Sequence, residues 1–97
     1  MAAVSRTHRY SVDPANLDEL ITRRAALISA IREAHPGLSE ARLTRLEDGT
    51  FTDVWRWDTA EQMQAAQAGM ARFPQARDAM ALTKDRTSLD GEIIDER

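Results

Sequence analysis

Two stretches of the chain alternate in side-chain character. Along Val4–Val12, an extended backbone puts Val4, Arg6, His8, Tyr10 and Val12 on one side and Ser5, Thr7, Arg9 and Ser11 on the other. Along Phe51–Trp57, Phe51, Asp53, Trp55 and Trp57 share one face against Thr52, Val54 and Arg56. Aromatic and β-branched residues favour strands, so each stretch predicts one. Between them the period changes. Leu17, Leu20, Ile21, Leu27, Ile28 and Ile31 recur at helical spacing, with Ala25, Ala26, Ala30 and Ala34 filling in. Asp13-Pro14 introduces this helix, with Asp13 as a cap and proline in the first turn. His35-Pro36-Gly37 ends it, because proline cannot continue a helix and disfavours one in the residue before it. Arg24 interrupts the apolar stripe at its edge, where a long side chain is expected to carry its charge back to water.

A second strand is expected over 38–46, with Ala41 and Leu43 on one face and Glu40, Arg42 and Thr44 on the other. Glu47-Asp48-Gly49 follows, and Asp-Gly is a hairpin signal, so this strand should pair antiparallel with the next. The second helix starts at Asp58 or Thr59; Thr59 and Gln62 have the spacing of a capping box. Met63, Ala66, Met70 and Phe73 form its core stripe. Gly69 weakens its middle, and Pro74 should break or restart it before it continues over 75–82. Residues 83–90 read as a polar loop and 91–95 as a short last strand. The order strand, helix, strand, strand, helix, strand is the ferredoxin-like α+β plan, one domain over 1–97. Two helices on one face leave the other face of the sheet bare. A small domain tends to cover such a face with a second copy of itself, giving a dimeric α/β barrel.

Composition supports association. At 97 residues the chain buries too little surface to be more than a marginal monomer, and it has no cysteine for a disulfide. His8 and His35 stand far apart, so no metal-ligand spacing appears. The net charge is −3 with mixed signs, without the basic patch that nucleic acid requires; Arg23-Arg24 is too short to supply one. No apolar run approaches the roughly 20 residues of a membrane span, and the N-terminus lacks the apolar core of a signal peptide. A soluble cytoplasmic homodimer is the expectation. Usage rich in Ala and Arg and poor in Lys is associated with GC-rich bacterial genomes.

The chain resembles the antibiotic biosynthesis monooxygenase family of the dimeric α/β-barrel superfamily. The resemblance spans nearly the whole chain. It rests on Val12-Asp13-Pro14, on His35-Pro36-Gly37-Leu38, and above all on Trp57-Asp58-Thr59-Ala60-Glu61-Gln62, a Trp-x-Ser/Thr-x-Glu signature. Family members include cofactor-free oxygenases of polyketide phenols, quinol oxygenases, haem-degrading enzymes and proteins of no known activity. The nearest pattern is that of the cofactor-independent anthrone-type oxygenases. Their site residues are an asparagine four before the strand-end tryptophan, that tryptophan, and an arginine in the distal part of helix two. The matching positions here are Asp53, Trp57 and Arg77, with an acid in place of the amide. The haem-degrading pattern of asparagine, helix-two tryptophan and histidine is not matched.

The chemistry this implies needs no cofactor. A deprotonated phenol or anthrone is electron-rich enough to react with dioxygen directly. The protein has to supply a base, a group that stabilises the enolate, and a flat apolar slot. Asp53 is the candidate base if burial raises its pKa, Arg77 the candidate oxyanion partner, and Trp57 the candidate slot wall. Trp55, His8 and Tyr10 are candidate contacts to an aromatic small molecule. Asp53 and Trp57 lie about 13 Å apart along the strand, so they would meet opposite ends of a polycyclic ligand. Each residue also has a plain structural role open to it. Trp57 suits the core, Trp55 an interface, and Asp53 an ion pair across the sheet, for example with Arg42. Arg77 suits a solvated helix face, and His8 a structural position. His35 suits the negative end of a helix dipole, and the Met63, Met70, Met80 series suits the core. A non-catalytic dimeric binding or scaffold domain is therefore the alternative. An isomerase or decarboxylase using the same pocket is a second one.

Overall fold

The computed structural model describes residues 2–97. Strands β1 (Val4–Val12), β2 (Leu38–Arg45), β3 (Phe51–Trp57) and β4 (Thr83–Glu92) form one antiparallel sheet in the order β2-β3-β1-β4. Helices α1 (Leu17–Ala34), α2 (Ala60–Ala68) and α3 (Pro74–Met80) cover one face of it. This is the ferredoxin-like α+β fold, with the second helical region divided in two. The core lies between this sheet face and the helices. It is built on Trp57, Leu20, Ile31 and Leu38, each buried almost completely.

Local chemistry sets most of the boundaries. The Asp13 carboxylate accepts the Ala15 N–H at 2.9 Å and opens a 3-10 turn, Pro14–Asn16, that leads into α1. Leu20, Leu27, Ile28 and Ile31 are buried as the periodicity predicts, whereas Ile21 is on the exposed flank. In the β2–β3 turn Gly49 takes φ +86°, the left-handed region open to glycine. The Asp48 carboxylate accepts both the Thr50 N–H and its hydroxyl. The α2 N-cap is Thr59, whose Oγ1 accepts the Gln62 N–H at 3.2 Å. Only that half of the capping box forms. The Gln62 carboxamide instead lies over Gly37, where a Cβ would come within 1.8 Å of its Oε1. Gly69 ends α2, a 3-10 turn (Met70–Arg72) follows, and Pro74 opens α3 at its first position.

The C-terminal segment differs from its predicted form. Residues 83–90, expected as a loop, belong to β4, which pairs with β1 from Val4↔Glu92 to Val12↔Thr83. Of the expected strand over 91–95, only Gly91 and Glu92 lie in it. The reason is that β4 is an edge strand with both faces largely open, so it carries no alternating apolar pattern. Backbone pairing to β1 specifies it. A bulge sets Asp85 and Arg86 together opposite Tyr10, and Asp85 takes φ +56°.

Among the described residues no element covers the second sheet face. At its centre Thr7 stands between Val54 and Leu89 in register, and Leu89 is 77% exposed. No helix among the described residues is long and apolar enough to cross a membrane.

Because the Thr59 hydroxyl is the side-chain cap of α2, Thr59→Ala should lower stability by about 1 kcal/mol. Urea unfolding should show a lower midpoint at an unchanged m-value.

Candidate functional site

Asp53 is the centre of the site. It is 4% exposed and lies in the middle of β3, facing the helices. Four donors converge on it from three elements. From β1, the Tyr10 hydroxyl donates to Oδ2 at 2.8 Å. From α1, Arg24 Nε donates to Oδ2 at 2.8 Å and Nη2 to Oδ1 at 2.9 Å. From β3 itself, Trp55 Nε1 donates to Oδ1 at 2.8 Å. The arginine pair is side-on and bidentate, the strong form of this interaction. A buried carboxylate requires such partners, because an unpaired one loses its hydration without compensation.

Two expectations change here. The partner of Asp53 is Arg24, while Arg42 pairs with Glu40 on β2. Arg24 does not carry its charge out to water; its side chain is 14% exposed and turned inwards. The position on the edge of the apolar stripe was legible, but its inward turn depends on an acid 29 residues away on another element.

A cavity of about 500 Å³ opens beside this cluster, between the sheet and the helices. Asp53, Trp55, Trp57, His8 and Tyr10 all line it, as the shared strand faces predict. Leu20, Leu27, Met70, Ala76, Ala79 and Met80 supply its apolar wall, and Arg24 and Arg6 its charged groups. Arg77 is not brought to it. That side chain is exposed on α3 and borders an adjoining, more open depression that shares Met70, Ala76, Met80, Thr83 and Arg86 with the cavity. The β4 residues Arg86, Thr87 and Ser88 also line the cavity; they were missed because their segment was read as a loop. Trp57 Nε1 and Gln67 Nε2 are shut off from water and have no acceptor among the described residues. No metal-holding cluster of acids and histidines occurs among the described residues.

The titratable groups are tuned by this setting. Burial, then the Asp53 charge and the hydrogen bond to it, push the Tyr10 hydroxyl far above the ordinary range, so it stays protonated and acts as a donor. His8 lies beside Asp53 in register and meets the Trp55 ring edge-on, with centroids 5.7 Å apart. Burial lowers its pKa below 6.5 and the Arg6 charge lowers it further, against the opposing pull of Asp53 and Asp90. At neutral pH it is an uncharged imidazole.

No protein-family model matches the chain, and no curated protein does. Solved structures match across its full length. One is an asparagine-to-alanine variant of SnoaB, a cofactor-independent oxygenase from Streptomyces nogalater. It has 22% identity and a TM-score of 0.71, over 100% of this chain and 96% of that one. Another is a candidate antibiotic biosynthesis monooxygenase from Bordetella bronchiseptica, with 13% identity and a TM-score of 0.77, over 97% and 99%. A third is a dimeric ferredoxin-like protein from an uncultured marine organism, with 13% identity and a TM-score of 0.72, over 100% and 92%. The chain shares the fold of these proteins.

Removing one partner of a buried ion pair strands the other. Asp53→Ala should therefore destabilise the fold by about 3–5 kcal/mol, whereas Arg24→Met combined with Asp53→Leu should recover much of that loss. Denaturant midpoints of the three proteins measure both effects. A double variant no better than Asp53→Ala would show that the loss comes from the Tyr10 and Trp55 donors, which are left without an acceptor in both proteins.

Proposed function

We propose that the protein is a cofactor-independent oxygenase acting on an aromatic small molecule of phenol, anthrone or quinol type. The observation that carries this reading is the apolar cavity in which two tryptophans, a neutral imidazole and an arginine converge. The shared fold of a cofactor-independent oxygenase is consistent with it.

The roles are redistributed from those first expected. The lone pairs of Asp53 are occupied by four donors, so it serves as a positioning residue for Arg24 rather than as the base. His8 takes the role of base, since its ring makes no hydrogen bond among the described residues and burial lowers its pKa. Arg24 takes the role first given to Arg77. Its Nε and Nη2 are fixed by Asp53, and its remaining N–H groups are left to stabilise an oxyanion. Trp55 and Trp57 serve as the walls of the slot.

For an anthrone the reaction balances without a cofactor. His8 removes one proton from the ring CH₂, leaving an enolate whose oxygen faces Arg24. The enolate passes an electron to dioxygen, and the resulting radical pair combines as a C–O bond. The peroxide takes up the proton held by His8. Loss of the second C–H proton then breaks the O–O bond, giving the ring C=O and one water.

A non-catalytic binding domain is the second reading, favoured by the engagement of Asp53 in a closed cluster. An isomerase or decarboxylase would use the same His8 and Arg24 without consuming oxygen.

Oxygen uptake over a panel of anthrones and hydroquinones, without added cofactor, separates these readings. Turnover should fall at least a hundredfold in His8→Ala, within the range for loss of a general base of about 10²–10⁴. Uptake by the wild type should rise with pH through a midpoint below 6.5 and level off by neutrality, since only unprotonated His8 is active. Turnover without oxygen loss would point to the isomerase, and binding without turnover to the binding domain. The same lowered pKa means the unfolded state binds the His8 proton first. Its contribution to stability is therefore present above 6.5 and lost as pH falls below it.

We also propose that the bare sheet face pairs with a second copy through Val54, Thr7 and Leu89. One of the proteins with this fold is dimeric, which supports the reading. Sedimentation should show a dimer that Leu89→Asp dissociates.

A further inference from the structure

We propose that Arg86 anchors a carboxylate on the aromatic ligand, at the β4 side of the cavity. This rests on the aromatic-ligand reading above and specifies the ligand's charge.

The cavity lining holds three arginines and one aspartate. Arg24 is neutralised by Asp53, and Arg6 pairs with Asp90 at 3.1 Å. Arg86 has no carboxylate within ion-pair distance among the described residues; its contacts are all to neutral oxygens. His8 is uncharged at neutral pH, so one positive charge in the lining is left without a counter-charge. Arg86 is exposed at the cavity rim, where an uncompensated positive charge favours an incoming anion.

The guanidinium is also held in a defined orientation. Nη1 donates to Met80 O at 2.9 Å, Thr83 O at 3.0 Å and Thr83 Oγ1 at 3.0 Å. One corner of the fork is thereby fixed to the end of α3. The Nε–Nη2 edge, the edge that grips a carboxylate with two parallel hydrogen bonds, donates no hydrogen bond to the described residues. The backbone is bent to achieve this. The bulge sets Asp85 and Arg86 opposite Tyr10, and Asp85 occupies a left-handed conformation uncommon outside glycine. Such bulges re-aim a side chain beside a functional site. Arg86 thus stands on the same side of the sheet as the Tyr10–Asp53 cluster, at the rim of the apolar wall.

The ligand class that follows is a planar polycyclic aromatic acid. Its rings lie along Trp55 and the α1 and α3 side chains, and its carboxylate meets Arg86. Capping of α3 is the competing role for Arg86, and a matched ligand pair separates the two. Anthraquinone-2-carboxylate and anthraquinone-2-carboxamide are titrated against the full chain by quenching of Trp55 and Trp57 fluorescence. Wild type should bind the acid about tenfold more tightly, the gap between charge-assisted and neutral hydrogen bonds. Arg86→Met should abolish that preference, and Arg86→Lys should restore part of it. Persistence of the preference in Arg86→Met overturns the proposal. So does equal weakening of both compounds, which would reduce Arg86 to a helix cap. If neither compound binds wild type, the aromatic cavity reading fails and this proposal with it.

Discussion

A single carboxylate sits where β1, β3 and α1 meet, and the surrounding structure has to satisfy it. Asp53 is almost fully buried, so its charge has lost water and must be repaid in hydrogen bonds. Tyr10, Arg24 and Trp55 provide them. Each bond fixes something else. Tyr10 sets the approach of β1 to β3, and Arg24 ties α1 to the sheet. Trp55 is held by a neighbour on its own strand face, which orients its indole ring. Disturbing the carboxylate would release a helix, a strand contact and a cavity wall together.

The cavity follows from that arrangement. Arg24 extends inwards towards the sheet where an aliphatic side chain would have packed into the core. On α3 the buried positions are Ala76 and Ala79, too small to fill the remaining space. Trp55 and Trp57 form the aromatic side, and His8 completes the β1 side with its ring free of hydrogen bonds among the described residues. Burial acts in opposite directions on the two β1 titratable groups. It keeps Tyr10 protonated and His8 unprotonated, so one strand face presents a permanent donor and an available acceptor. At neighbouring positions on that face, the same low dielectric yields complementary acid–base behaviour.

The strand β4 links the site to the outside of the molecule. Its inward side supplies Arg86 and Ser88 to the cavity, and its outward side places Leu89 on the uncovered sheet face. An edge strand this polar is stable only because its backbone pairs along nearly the whole of β1. The bulge at Asp85 and Arg86 interrupts that pairing where the cavity opens.

The sequence alone determined the elements with a local or periodic cause. β1 and β3 announce themselves by alternation, which put His8 and Tyr10 on one face of β1 and Asp53, Trp55 and Trp57 on one face of β3; their pairing brought the two faces to one side. The ends of α1 follow from Asp13-Pro14 and His35-Pro36, the start of α2 from Thr59, and the break before α3 from Pro74. Tertiary structure decided the rest. β4 has no buried face, so it leaves no pattern for periodicity to detect. Arg24 reads as a surface arginine until α1 is laid over Asp53, and only that long-range contact turns it inwards. Arg77 was a candidate only through the family resemblance, and the turn of α3 sends it to solvent. Spacing along the chain reports which face a residue occupies; which charges meet across the core depends on how the elements pack.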